Sequence, residues 1–314
     1  MSMVEDGEIK TKVSPFAMRE GEIKAFDGKD GYVSMSQIIQ KINVGHINDV
    51  HFKIMELVNE FEFITSRQLF QLLEYANIEI ASQDKLNNKL EQLIKTKILT
   101  RYYFNSDDGK GIYRIYCLEK MGKYLLNSRG IECKWQPTDN TKTVAMIKKR
   151  LAGNQLIIAW MNKVKTFDNY VAKPAITAKS LNKTFKATGG RIKITKASKS
   201  IDFVFEVIRR EDDWNKKLGD KLKLYNDFYT NFVPGDSGFS SLPQLILVCE
   251  DERHMAETFK CIVMNKLEID KIKLYYTTDL RQNEENLSAS LTEFKLDPET
   301  NKYKMENVEV KLLG

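Results

Sequence analysis

The sequence of 314 residues predicts a fold in two parts, α+β in the first half and α/β in the second. In the first half, three helical patterns precede two strand patterns, which Asp108-Gly109 joins as a tight hairpin turn. In the second half, strands and helices alternate, which predicts a sheet that is at least partly parallel. Hydrophobic residues make up 42% of the chain, so each part can bury a core.

Residues 1–40 are predicted to be an irregular tail because segments such as EDGE and AFDGKDG show no periodicity. Apolar spacing in NDVHFKIMELVNEF and TSRQLFQLLEYA predicts two helices, the second with Thr65 or Ser66 as its N-cap. The third helix, residues 83–97, follows Ser82 as its N-cap. Its apolar residues share one face: Leu86, Leu90, Leu93 and Ile94.

Three helices followed by a hairpin, within residues 41–135, is the order of a winged helix-turn-helix domain. In that fold the third helix enters the major groove, where Lys, Asn and Gln reach phosphates and base edges. Its outward residues are Lys85, Asn87, Asn88, Lys89, Gln92 and Lys95. The hairpin adds three cations: Arg101, Lys110 and Arg114. The alternative is a solvated helix face, because winged helices also serve as protein–protein modules.

The net charge of +6 is concentrated in one segment. Residues 141–201 contain 14 basic residues and one acid, whereas the residues before them are close to neutral and those after them are acidic. Such a concentration predicts a polyanionic partner, with a basic surface that has no ligand as the alternative. Lys148, Lys149 and Arg150 are predicted to bind phosphates.

The segment SIDFVFEVIRR, residues 200–210, has the period-2 pattern of a strand. This pattern places Asp202 and Glu206 on one face. Two acids on one face can hold a divalent cation, or they can form the solvated side of an ordinary strand. A helical pattern follows, and the continuous apolar run LPQLILVCE is typical of a buried parallel strand.

The helix–hairpin order, together with FEVIRR, KLKLYNDFY and LPQLILVCEDERHMAETF, resembles the replication-relaxation proteins of Gram-positive plasmids, conjugative elements and phages. The resemblance covers roughly residues 46–280. It implies a restriction-endonuclease-like α/β domain over residues 141–314, after the winged helix. Its motif residues correspond here to Glu206, Arg209, Lys221, Tyr225 and Arg253. It also implies a protein of a mobile genetic element that acts in replication, conjugative transfer or their transcriptional control.

The nuclease core that this resemblance implies needs an Asp on one strand and Glu-x-Lys on the next, to hold Mg²⁺ and orient water. Glu206 fits the glutamate, but Ile208 stands at the lysine position and the preceding strand, RIKITK, has no Asp. Asp202 lies about 13 Å from Glu206 by strand rise, too far to share an ion. Asp202, Glu206 and Arg209 are therefore interpreted as a vestigial nuclease site, without catalytic residues or metal ligands.

Two further expectations concern this vestigial site. The Glu206 carboxylate is predicted to be held by a neighbouring cation. The candidates are Arg209, Arg210 and Lys193. A second carboxylate from Asp212 or Asp213 would restore metal binding, so a Mg²⁺-dependent nuclease stays an alternative. A protein-interaction adaptor is the third hypothesis.

The remaining features predict a cytoplasmic, DNA-binding chain without a cofactor. No apolar run reaches the ~18 residues of a membrane span, so no membrane association is predicted. The cysteines lack metal-site spacing and are interpreted as free thiols in a reducing compartment. Double-stranded DNA is the predicted partner. Replication or transfer proteins, and a second copy of the chain in a homodimer, are left open as further partners.

Overall fold

The fold mixes α-helices with three β-sheets. The computed structural model describes residues 14–107, 113–197, 199–264, 272–283, 286–297 and 302–309. Within these residues there is a four-stranded sheet, a seven-stranded sheet and a two-stranded ladder. No helix in the described part is both long and apolar enough to cross a membrane.

The first half of the chain contains short strands and helices. The strands are β1 (Ile23–Phe26), β2 (Ile64–Thr65), β3 (Leu99–Asn105) and β4 (Arg114–Leu118). The helices are α1 (Met35–Asn43), α2 (Asp49–Phe61), α3 (Ser66–Tyr75), α4 (Gln83–Lys95) and α5 (Lys120–Ser128). The predicted N-caps are confirmed, because Thr65 caps α3 and Ser82 caps α4 through their side-chain oxygens.

The four-stranded sheet is antiparallel, in the order β1-β3-β4-β2. β2 comes from the connection between α2 and α3 and pairs Ile64 with Tyr116 of β4. The apolar faces of α2, α3 and α4 pack together in one buried cluster with this sheet. The predicted hairpin turn at Asp108-Gly109, and Lys110 beside it, lie outside the described residues.

The prediction that residues 1–40 form an irregular tail is wrong over the part that the structure describes. β1 pairs with the edge of β3, and Ser34 begins α1 with a capping box. Phe16 and Ala17 are buried. The four residues of β1 are too few to show a periodicity that would predict a strand. They form a strand because they pair with β3, and not because of their local propensity.

The second half contains most of the strands. They are β5 (Phe167–Val171), β6 (Ala175–Ala178), β7 (Lys183–Lys186), β8 (Gly190–Lys196), β9 (Lys199–Val207), β10 (Gln244–Cys249), β11 (Leu274–Thr278), β12 (Leu291–Asp297) and β13 (Lys302–Val308). The helices are α6 (Val144–Lys163), α7 (Trp214–Thr230), α8 (Glu252–Met264) and α9 (Asp279–Asn283). The seven-stranded sheet has the order β13-β12-β11-β10-β9-β8-β5.

The prediction of a partly parallel sheet is confirmed, since β9, β10 and β11 are parallel and the other pairs are antiparallel. Alternate residues of β9 face opposite helices. Phe203 and Phe205 pack on Trp160 of α6, with ring centroids 5.1 and 5.2 Å away. Val204 faces α7 instead, in a second buried cluster. Both faces of β9 are therefore covered, and neither is the solvated side of a strand.

Helix α6 joins the two halves. Asn154 donates its side-chain amide to the carbonyl oxygens of Phe61 (3.2 Å) and Phe63 (2.7 Å) at the end of α2. On its other side, Gly153 lets α6 approach the turn before β8, because a Cβ there would lie 2.7 Å from the Cα of Gly189. This contact fixes the turn that leads into the surroundings of Glu206.

Candidate functional site

The α4 helix presents a polar face outward. Lys85, Asn88, Gln92 and Lys95 are exposed, and Asn87 and Lys89 are half-buried. The apolar stripe predicted from the sequence is buried on the opposite face. Among the described residues, no ion pair neutralises the three lysines of this face. The face therefore combines free ammonium groups with side-chain amides, which are the groups that bind phosphates and base edges.

Gln92 is held in place by a buried histidine. Nδ1 of His51 lies 3.2 Å from the backbone nitrogen of Asn48 and 2.9 Å from its side-chain oxygen, and Nε2 lies 2.7 Å from the side-chain oxygen of Gln92. Burial lowers the pKa of His51, which keeps the imidazole neutral. The oxygen of Gln92 is thereby occupied and its NH₂ group is left as a donor.

Of the two described hairpin cations, only Arg114 stays exposed. The Arg101 side chain is 10% exposed and forms ion pairs with Asp27 and Glu91, so its prediction as a DNA contact is wrong. Arg114 is 59% exposed and lies 3.1 Å from Asp27. The reason is that Asp27, from the segment predicted to be a tail, lies between the two guanidinium groups. The burial of a cation depends on such distant partners.

The predicted phosphate contacts at the start of α6 are also wrong. Lys148 is 0% exposed and pairs with Glu22, which is 2% exposed. Lys149 pairs with Glu211, and Arg150 lies 3.4 Å from Glu62. These side chains point into the protein because α6 is packed between the two halves. Six other lysines of residues 141–201 form no ion pair within the described residues: Lys165, Lys173, Lys183, Lys186, Lys196 and Lys199.

Two hydroxyl groups donate hydrogen bonds to the Glu206 carboxylate. Thr188 donates to one carboxylate oxygen (2.9 Å) and the Tyr225 hydroxyl donates to the other (2.9 Å). Burial, and then the charge of Glu206, raises the pKa of Tyr225, so the phenol keeps its proton. The neighbouring cation is Lys221 of α7, 3.7 Å away. The prediction of Arg209, Arg210 or Lys193 is therefore wrong, since α7 packs across this end of β9.

The other two residues of the predicted vestigial site have separate partners. Asp202 accepts from Arg191 (2.8 Å), and Arg209 donates two bonds to Asp279 (2.9 Å each). The register of β8 and β9 places Thr188 and Gly189 beside Glu206, where a nuclease would need its Asp. In the described ranges no group of three or more His, Cys, Asp or Glu side chains could hold a metal ion.

The carboxyl ends of β9, β10 and β11 are covered by residues 14–22. In open α/β sheets, ligands usually bind at this edge. Here Ser14 donates to Asp279, and the backbone N–H of Met18 donates to Glu250 (3.2 Å). The edge is thus filled by the chain itself, a contact that no periodicity in the sequence could indicate.

Comparisons with known proteins add little to this geometry. No family model and no curated protein matches the chain. Among solved structures, the restriction endonuclease FokI is similar at 10% identity and a TM-score of 0.27, over 74% of this chain and 43% of that one. The chain thus spans less than half the length of FokI, and a likeness this low defines neither fold nor function.

Proposed function

We propose that this chain is a non-enzymatic protein that binds double-stranded DNA, with residues 41–135 as a winged helix-turn-helix domain. The observation that carries the proposal is the outward face of α4, where three lysines without an ion-pair partner among the described residues lie beside amide side chains. The pairing of β2 with β4 supports it, because a winged helix takes a strand from between its first two helices. α4 is then the recognition helix.

The lysines and the amide side chains of the α4 face have different roles in DNA binding. Lys85 and Lys95, as exposed point charges, suit phosphate oxygens and set affinity. Asn88 and the free NH₂ group of Gln92 suit base edges in the major groove and set sequence choice. The paired Arg101 contributes to neither, since Asp27 and Glu91 already use its charge.

The resemblance to replication-relaxation proteins supports an assignment of this DNA binding to a cellular process. We infer that the chain belongs to a mobile genetic element and acts in replication, conjugative transfer or their transcriptional control. The second half then serves as a nuclease-like scaffold. Failure to bind duplex DNA would instead favour the protein-interaction adaptor.

The experiment that tests DNA binding is a salt titration. We expect the logarithm of the association constant for duplex DNA to fall linearly with the logarithm of salt concentration, with a slope near −0.9 per phosphate contact. Replacing Lys85, Lys89 and Lys95 by Ala should reduce this slope by nearly three, at about 0.9 per lysine. The matched control replaces the exposed Lys216 and Lys260, on α7 and α8, and should keep the slope. Equal slopes in all three proteins would contradict the proposal.

A Mg²⁺-dependent nuclease is the second candidate, favoured by the position of Lys221 3.7 Å from Glu206. Against it, Thr188 occupies the place of the second carboxylate, and one Glu provides too little charge to hold Mg²⁺. We expect Mg²⁺ or Mn²⁺ to leave supercoiled, linear and single-stranded DNA intact. Gel assays would compare the wild type with Glu206→Gln. Cleavage by the wild type that the variant lacks would establish the nuclease instead.

A further inference from the structure

A cavity of about 520 Å³ lies between α2, α6 and the ladder of β6 and β7. Cavities of roughly 300–1,000 Å³ are the size of small-molecule sites. Five cationic side chains line it, against three carboxylates. Thr188, which donates to Glu206, also lies on its wall. The cavity is thus positively charged and borders the Glu206 site, on a surface separate from the outward face of α4.

Two lysines face this cavity from one side of the ladder. β6 and β7 pair Ala175 with Lys186, and a further backbone hydrogen bond extends the register by one pair. Lys173 and Thr188 follow directly beyond that pair, in the bends that end the ladder. Both line the cavity together with Lys186. The opposite face of the ladder is buried, as Phe185 shows.

The carboxylates of the cavity do not neutralise these lysines. Glu62 is already the partner of Lys142 and Arg150. In the part of the chain that the structure describes, the ammonium groups of Lys173 and Lys186 have neither an ion-pair nor a hydrogen-bond partner. Arg150 donates to the carbonyl oxygen of residue 172 (2.7 Å) and lies 3.4 Å from Glu62, so it adds positive charge to the wall of the cavity but is already paired.

The clustered cations repel one another. Burial lowers the pKa of Lys173, Glu62 opposes this shift, and the charges of Arg150, Lys142 and Lys186 lower the pKa further. A polyvalent anion between them would replace this repulsion by attraction and would stabilise the charged form of Lys173. A phosphate monoester is such an anion, and a strand phosphodiester, which carries a single negative charge, provides the same attraction more weakly.

We propose that this cavity binds the phosphoryl group of a nucleotide unit through Lys173 and Lys186. The nucleotide is either free or part of a single strand, since both present negatively charged phosphoryl oxygens. Trp135 lines the cavity too, and its indole N–H is fixed by Asn140 (3.0 Å). A fixed aromatic side chain beside bound phosphate suits stacking of a base. The proposal does not depend on α4.

The test is calorimetric titration of the full chain at low salt with two probes, deoxyadenosine monophosphate and a twelve-nucleotide single strand. The variant replaces Lys173 and Lys186 by Gln. It should weaken binding by about tenfold or more per lysine, since a hydrogen bond to a charged group is worth about that much. The matched control replaces Lys183 and Lys199 by Gln, two exposed lysines of the same segment that do not line the cavity. It should bind within about twofold of wild type, as neither lysine has a predicted ligand contact.

Each outcome of this titration either supports the proposal or overturns it. Binding of the mononucleotide that needs Lys173 and Lys186 identifies a free nucleotide as the ligand, and binding of the strand alone identifies a single strand. No binding of either probe by the wild type, or equal loss in variant and control, overturns the proposal. Lys186→Gln alone, at an exposed side chain that has no partner among the described residues, repeats the test if the double variant does not fold. The triple Ala variant of α4 should bind both probes as the wild type does, whether or not α4 binds duplex DNA.

Discussion

Replacing Lys148 by Met should lower the free energy of unfolding by about 3–5 kcal/mol, the usual cost of removing one partner of a buried ion pair. Lys148 and Glu22 are almost completely buried, and Lys148 also donates to the carbonyl oxygen of Ala17. The variant would leave the buried Glu22 carboxylate without its ion-pair partner. Urea unfolding followed by circular dichroism measures the change.

Two controls separate the lost ion pair from a general effect of substitution. Lys85→Met, on the exposed face of α4, should change the free energy of unfolding by no more than about 0.5 kcal/mol. Adding Glu22→Leu to Lys148→Met should recover most of the loss, because the orphaned carboxylate is then gone. A Lys148→Met variant as stable as Lys85→Met would show that the pair is not formed.

Replacing Asn88 and Gln92 by Ala should cost about 1–3 kcal/mol of discrimination per amide between the preferred duplex and a random one. Both side chains are exposed on α4, and His51 fixes the orientation of Gln92. Affinity for random duplexes should change little, because amides contribute little to phosphate binding. Selection from a random duplex pool defines the preferred site, and fluorescence anisotropy then measures both affinities.

The lysine variants of the same helix provide the contrast. Replacing Lys85 and Lys95 by Ala should weaken binding to all duplexes alike and leave the discrimination ratio unchanged. If the amide and lysine variants behaved identically, the division of the face into base-reading and phosphate-binding residues would be wrong.

The parts of the fold that the sequence predicted well depend on local chemistry. The stripe from Leu86 to Ile94 predicted α4 and its outward face, and Ser82 predicted its first turn. The apolar run of β10 predicted a buried parallel strand, because a strand that is buried on both faces requires apolar residues at every position.

The errors arose where distant segments decide the environment of a charge. Lys148 and Arg101 look like surface cations in the sequence, but their partners Glu22 and Asp27 come from a segment without periodicity. Likewise the cation beside Glu206 comes from α7, across the face of the sheet. Charge patterns indicate how many cations a segment holds, but the fold decides which of them stay free.

The most direct test of DNA binding through α4 is photo-crosslinking from that helix. A benzophenone amino acid would take the place of Asn88 in one protein and of Lys260, on the exposed side of α8, in another. After irradiation with labelled duplex DNA at low salt, we expect a crosslinked band from the first protein and none from the second. Duplex DNA that is bound by both proteins but crosslinks only from α8, or from neither position, would contradict recognition by α4.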